Sequence, residues 1–255
     1  MHAKFPSALA VLAFALALHA APAPADGSLP KGDCRKPAAM TDLRQCDFEG
    51  RFLMGADLHG ADLRGVKLTK ARLNGCNLAG AKLQKANLRW ADLEGCDLHD
   101  ANFARGDMLH VKLTSARVDK ADFTRAFMFG AILDNARGHG VKFTGAHLRD
   151  VEMDNVRLPG ADFSETMLFR GFIIGSDLKN ADFSRANMTG LSIEKSDLSG
   201  ATFSAANMAG INLVSCKLKE ADFSRAIMEN ATLDKVDISA ARGLPDALRR
   251  KLAGK

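Results

Sequence analysis

Ala56-Asp57-Leu58-His59-Gly60 and Ala61-Asp62-Leu63-Arg64-Gly65 follow one another without a break and obey one five-residue rule. A small residue comes first, a polar one second and a large apolar one third. Stepping outward from Leu58 by fives, 40 such third positions run from Leu43 to Ile238, and only Gly138 among them lacks an apolar side chain. The first position is small or apolar in Ala56, Ala61, Val66, Ala71, Cys76, Ala81, Ala86 and Ala91 in succession.

Small-polar-large is an in-out-in alternation, the mark of a short extended segment with one buried face. The remaining two residues must turn a corner. An α-helix fits badly, because a step of five advances about 140° beyond a full turn and scatters the large residues around the cylinder. Gly60, Gly65, Gly75, Gly80 and Gly95 hold the fifth place, where a turn asks for backbone angles that glycine accepts. A longer period lies over the short one: Phe103, Phe123, Phe143, Phe163, Phe183, Phe203 and Phe223 recur every twenty residues. Four five-residue sides then make one coil, with like residues stacked on like. The expected fold is an all-β solenoid of about ten coils, about 48 Å tall at a strand spacing of about 4.8 Å. Its core is built of ladders, one of Phe and, on the next side, one containing Met108, Met128, Met188, Met208 and Met228.

Repeats such as Ala56-Asp57-Leu58-His59-Gly60 and Ala181-Asp182-Phe183-Ser184-Arg185 resemble the pentapeptide-repeat family, whose motif is A(D/N)LXX. The resemblance spans residues 41–240 and implies a right-handed, four-sided β-helix, the handedness coming from the resemblance alone. Arg51 at a small position and Gly138 at a large one depart from the pattern.

The chain has 255 residues, formal net charge +5 and 7 prolines, enough length for one elongated domain with a substantial core. Residues 1–25 read as a secretory signal: Lys4, an apolar run from Phe5 to Leu18, then Ala23-Pro24-Ala25 ahead of Asp26. Cleavage after Ala20 and retention as an uncleaved anchor are alternatives, although the run is short for a membrane span. The expected address is the periplasm or the exterior. Residues 26–40 read as a linker, rich in Pro, Gly and Lys. In residues 241–255, Leu244, Leu248 and Leu252 share a helical stripe, with Pro245 and Asp246 suited to its start and Arg249, Arg250 and Lys251 to its finish. This helix is expected to lid the last coil over Val236 and Ile238.

Cys46, Cys76, Cys96 and Cys216 occupy small inward positions and only Cys34 lies outside the repeats. Cys76, Cys96 and Cys216 read as buried thiols serving as small apolar residues. Cys34 and Cys46 are a candidate disulfide, which export permits.

Function must lie in the outward columns. Trp90, Leu109, Phe127, Phe129, Met167 and Phe169 point outward on the side of the Met ladder, and Ile132, Phe172 and Ile174 on the next. Contiguous apolar surface of this kind marks a protein partner or a dimer contact. Arg117, Arg137 and Arg157 stack where Asp or Asn is usual, and either neighbouring carboxylates or a bound anion must offset them. His59, His99 and His139 share a column two coils apart, about 10 Å, too far to share a metal ion. The Ser/Thr column from Thr124 to Ser224 has no His and carboxylate relay beside it, so no catalytic residue, cofactor or small-molecule substrate is expected. Some members of the resembled family protect gyrase by imitating DNA, which needs a strongly negative surface. The positive balance and the leader argue against that role, and the scatter of Lys and Arg among carboxylates argues against nucleic acid as partner. The expectation is a non-catalytic exported scaffold that binds a protein partner, or itself, through the outward apolar residues.

Overall fold

The computed structural model describes residues 28–253. Parallel bridges join residue n to n + 20 from Asp42↔Asp62 to Asp222↔Arg242, so these two hundred residues make about ten coils of twenty. Five short strands on one side form a parallel sheet: β1 (Glu152–Asp154), β2 (Phe172–Ile174), β3 (Ser192–Glu194), β4 (Asn212–Val214) and β5 (Thr232–Asp234). Their register is in step, Met153 on Ile173 and Ile173 on Ile193. A helix, α1 (Asp246–Ala253), follows.

The five-residue rule is an accounting of backbone donors. The N–H of the second, third and fifth residues bonds to a neighbouring coil, as Asp62 to Thr41, Leu63 to Lys82 and Gly65 to Gln84 (2.9, 2.8 and 3.0 Å). The N–H of the first closes the corner onto the preceding third residue, as Ala61 to Leu58 at 3.1 Å. The fourth N–H is left over, and the second-place Asp or Asn accepts it, as Asp182 does from Ser184 (2.8 Å) and Asp222 from Ser224 (2.9 Å). Almost no polar backbone group is wasted, which a narrow solenoid requires. The fifth residue has positive φ on every side from Gly50 to Ala240, though not at Gln45, and 25 non-glycine residues adopt it, from Met40 (53°) to Ala240 (55°). Glycine at this corner is thus a convenience. The type of turn, with its third residue left-handed, is imposed by the ladder on Lys, Arg and Trp alike.

Several of these carboxylates are acidified by the bonds they accept. The Arg44 side chain, and then its backbone N–H, hold Asp42 at about 2, below the ordinary 3.8, and Ser224 lowers Asp222. A carboxyl depressed on folding adds stability that is complete above its unfolded value and disappears as pH falls through its folded value. The expected result is a urea midpoint that holds above about pH 5 and declines steadily between about pH 4 and 2. A midpoint flat across that range would contradict the capping role.

Inside, Phe103, Phe123, Phe143, Phe163, Phe183, Phe203 and Phe223 are wholly buried. Consecutive rings lie 4.8–5.2 Å apart and within 10° of parallel, as Phe143–Phe163 at 4.8 Å and 7° and Phe183–Phe203 at 5.2 Å and 6°. Column 76-96 also carries polar substitutes higher up. Where β1 and β2 run on instead of turning, the N–H groups of Val156 and Ser176 go to the hydroxyls of Ser176 and Ser196, each at 3.1 Å. Buried Ser thus replaces Ala where the corner opens.

The ends differ from the sequence expectation in one respect. Residues 26–40 were expected to be a linker, yet Gly32 N–H donates to Asp42 O (2.9 Å) and Asp42 N–H to Pro30 O (2.8 Å). Among the described residues the first coil has no coil beneath it, and its open ladder pairs with the preceding chain. Cys34 is joined there to Cys46, Cα to Cα 5.3 Å. Cys76 and Cys96, read above as separate thiols, are also paired, Cα to Cα 4.6 Å, because the coil spacing itself places stacked cysteines within bonding reach. Cys216 remains a buried free thiol. At the far end Leu244 is buried, and Leu248, Val236 and Ile238 pack partly against the core. The side chain of Leu252 and the proposed leader, residues 1–25, lie outside the described residues.

Candidate interaction surface

The side carrying Met108 and Met128 inward presents two outward columns, one through Phe127, His147 and Met167 and one through Leu109, Phe129, Arg149 and Phe169. The corner that follows holds Trp90 and His110. Trp90 (53% exposed), Phe127 (52%), Met167 (42%) and Phe172 (54%) are open to solvent, whereas Leu109, Phe129, Ile132, Phe169 and Ile174 are half-buried. Trp90 adopts φ 60° as a corner residue, which throws its indole onto the imidazole of His110 in the next coil, ring centroids 4.1 Å apart. His110 in turn meets the edge of Phe129 at 5.4 Å and its Nδ1 lies 3.3 Å from Gly130 O.

The expectation of one contiguous apolar patch is corrected here. Phe127 and Met167 are two coils apart, and His147 lies between them, its ring 4.7 Å from that of Phe127. Phe129 and Phe169 are likewise separated by Arg149, whose guanidinium sits 5.5 Å from one ring centre and 5.3 Å from the other. The surface is a ladder of alternating aromatic rings and cationic or imidazole groups. Cation–π contact holds Arg149 between the two Phe rings. Asp150 stands near Arg149 (3.5 Å) and Arg170 (3.4 Å), fixing the strip's edge. Arg149 could have been found by reading every coil of its column instead of alternate ones. Phe52, Met54 and Ile227 are further exposed apolar residues outside the expected set, although Phe52 shares the column of Ile132 and Phe172, and Ile227 that of Phe127.

The arginine column divides. Arg117 Nε donates to Asp119 (2.9 Å) and its Nη1 to Asp97 (3.3 Å), so carboxylates offset it. Arg137 and Arg157 are exposed on the next two coils without an ion pair among the described residues. The histidine column is held by its own carboxylates, His59 by Asp57 and His99 by Asp97, both at 2.8 Å. In the Ser/Thr column, Thr144 Oγ1 donates to Asp162 (2.6 Å) and Ser164 N–H to the same carboxylate (2.9 Å). These hydroxyls and amides serve the corners. Among the described residues no group of three His, Cys, Asp or Glu could hold a metal ion, and no helix is long and apolar enough to cross a membrane.

A family model described as pentapeptide repeats (8 copies) matches nine segments, from residues 41–75 to 206–242, which together cover 41–170 and 173–242. Among solved structures, the chain is similar to HetL, described as a pentapeptide-repeat protein involved in heterocyst differentiation regulation in the cyanobacterium Nostoc sp. strain PCC 7120. Identity is 29%, over 80% of this chain and 90% of HetL, with a TM-score of 0.59. A trypsin-treated form of QnrB1, described as a plasmid-mediated fluoroquinolone resistance protein, matches at 22% identity over 86% of this chain and 93% of its own, with a TM-score of 0.50, a likeness of fold. No curated protein matches the chain. With the repeat carried through all but its two ends, and the register of n on n + 20 observed in the backbone, the chain belongs to the pentapeptide-repeat family.

Proposed function

We propose that the protein is a non-catalytic, exported binding scaffold that engages another protein, or a second copy of itself, through the strip from Trp90 to Phe172. The observation that carries this reading is the exposure of Trp90, Phe127, Met167 and Phe172 on coils whose interior is already filled. Such residues gain nothing for the core, and large aromatic side chains set in a stiff frame are the usual anchors of protein interfaces. Arg149, clamped between rings, supplies a preorganised donor at the centre of the strip. The apolar leader supports export, and the formal charge of +5 opposes imitation of DNA.

The double variant Trp90→Ser, Phe127→Ser tests the reading. Both side chains are about half exposed, so the unfolding free energy from a urea titration should stay within about 0.5 kcal/mol of the parent. Association, read as sedimentation of the purified protein and as crosslinking in the exporting cell, should weaken by at least tenfold, since aromatic anchors each carry about 2 kcal/mol or more. Unchanged sedimentation together with an unchanged set of crosslinked proteins would end the proposal.

A further inference from the structure

A second site lies on a different side and does not depend on the strip. Arg137 and Arg157 stand on adjacent coils, bridged backbone to backbone, in a column that is Asp57, Asn77, Asp97 and the carboxylate-held Arg117 below them and Asp177 and Asp197 above. The two arginines line a cavity of about 260 Å3 together with Asn135, Asn155, Val156, Gly175 and Asp177.

The cavity has a structural origin. At Asn135 the corner is closed, Ala136 N–H donating to Leu133 O at 2.8 Å. One coil later the chain continues as β1 and Val156 N–H turns instead to Ser176. The outline of the corner therefore changes between these two coils, and Gly175 leaves room for the side chain of Asn155, whose Oδ1 a Cβ at that position would meet at 2.8 Å. Of the charged groups lining the space, Asp177 is engaged by Lys179 Nζ at 3.3 Å. Arg137 and Arg157 have no ion pair among the described residues. Two arginines and two asparagines thus line one hollow, with an excess of positive charge over Asp177. That donor set matches a tetrahedral oxyanion, whose several acceptors can bind both forks at once. The volume falls just below the usual range for organic ligands, about 300–1,000 Å3, and leaves room for a phosphate group.

We infer that this cavity binds a phosphate group, free or as a monoester, between Arg137 and Arg157. Calorimetric titration of the intact chain with inorganic phosphate, and separately with phenyl phosphate, both at ionic strength matched with sodium chloride, tests it. Saturable binding of at least one is expected. Tighter binding of phenyl phosphate would assign the site to monoesters, and tighter binding of inorganic phosphate to the free ion. Arg137→Gln and Arg157→Gln should each weaken binding by roughly tenfold or more, the weight of a charge-assisted hydrogen-bonded pair. Arg117→Gln, whose guanidinium is already held by Asp97 and Asp119, should leave it within about twofold, since only a more distant charge is lost. Heat of mixing without saturation, or equal losses in all three variants, would show only diffuse attraction to a basic surface and overturn the inference.

Discussion

Phe163→Ala should destabilise the protein by about 3–5 kcal/mol, the range for removing a buried ring from a core that cannot collapse around the void. Phe163 has no exposed surface and stacks on Phe143 at 4.8 Å and Phe183 at 4.9 Å. In a globular core neighbouring side chains relax into a cavity from several directions. Here the coils above and below are held at fixed height by backbone ladders on all four sides, and Phe143 and Phe183 have no freedom to close the gap. Each coil touches only its two neighbours, so both interfaces of this coil weaken together. A urea titration followed by circular dichroism measures the loss. A change under about 1 kcal/mol would mean that the Phe ladder is not what sets the stack's stability.

Gly138→Ala should destabilise by about 2–3 kcal/mol, although it moves the position toward the apolar residue found at the other third places. Repeat logic alone favours the opposite sign, since a larger side chain would restore the pattern. The structure shows why restoration fails. A Cβ at Gly138 would lie 2.6 Å from Asp119 N and 2.6 Å from the carbonyl carbon of Val118, and these are backbone atoms of the coil beneath. The following corner also departs from the rule, His139 N–H donating to Asp119 Oδ1 at 3.1 Å instead of the next residues closing the usual turn. The chain has moved onto its lower neighbour, occupying space that a side chain fills elsewhere. A urea midpoint raised in Gly138→Ala would refute this account.

Much of the fold was legible in the residues. Leu58, Leu63 and their equivalents alternate with polar residues over three positions and then turn, a pattern that only a five-residue side satisfies, and Phe recurring every twenty residues sets four sides to a coil. The donor role of the second place was not legible beyond its polarity. Asp182 reads as an outward residue until the leftover N–H of Ser184 is seen beside it. The candidate surface was legible in part. Trp90 and Phe127 stood out by polarity alone, but Arg149 did not, because a single arginine on a solvent face is unremarkable until two rings enclose it. Arg117 and Arg137 are indistinguishable as letters. They differ because Asp97 and Asp119 reach one guanidinium and no carboxylate among the described residues reaches the other.

The amino-acid order alone determined the period, the inward and outward faces and the identity of every column, because translation by one coil repeats the same surroundings and a regular lattice needs only a repeating pattern of size and polarity. Tertiary structure alone decided where that lattice yields: the closed first coil at Cys34, the opened corners after β1 and β2, the lowered backbone at Gly138 and the cavity beside Arg157. These depend on displacements smaller than a side chain and on the paths that long side chains take between coils. Residue type constrains such paths only loosely, so they become definite once neighbouring coils are in place.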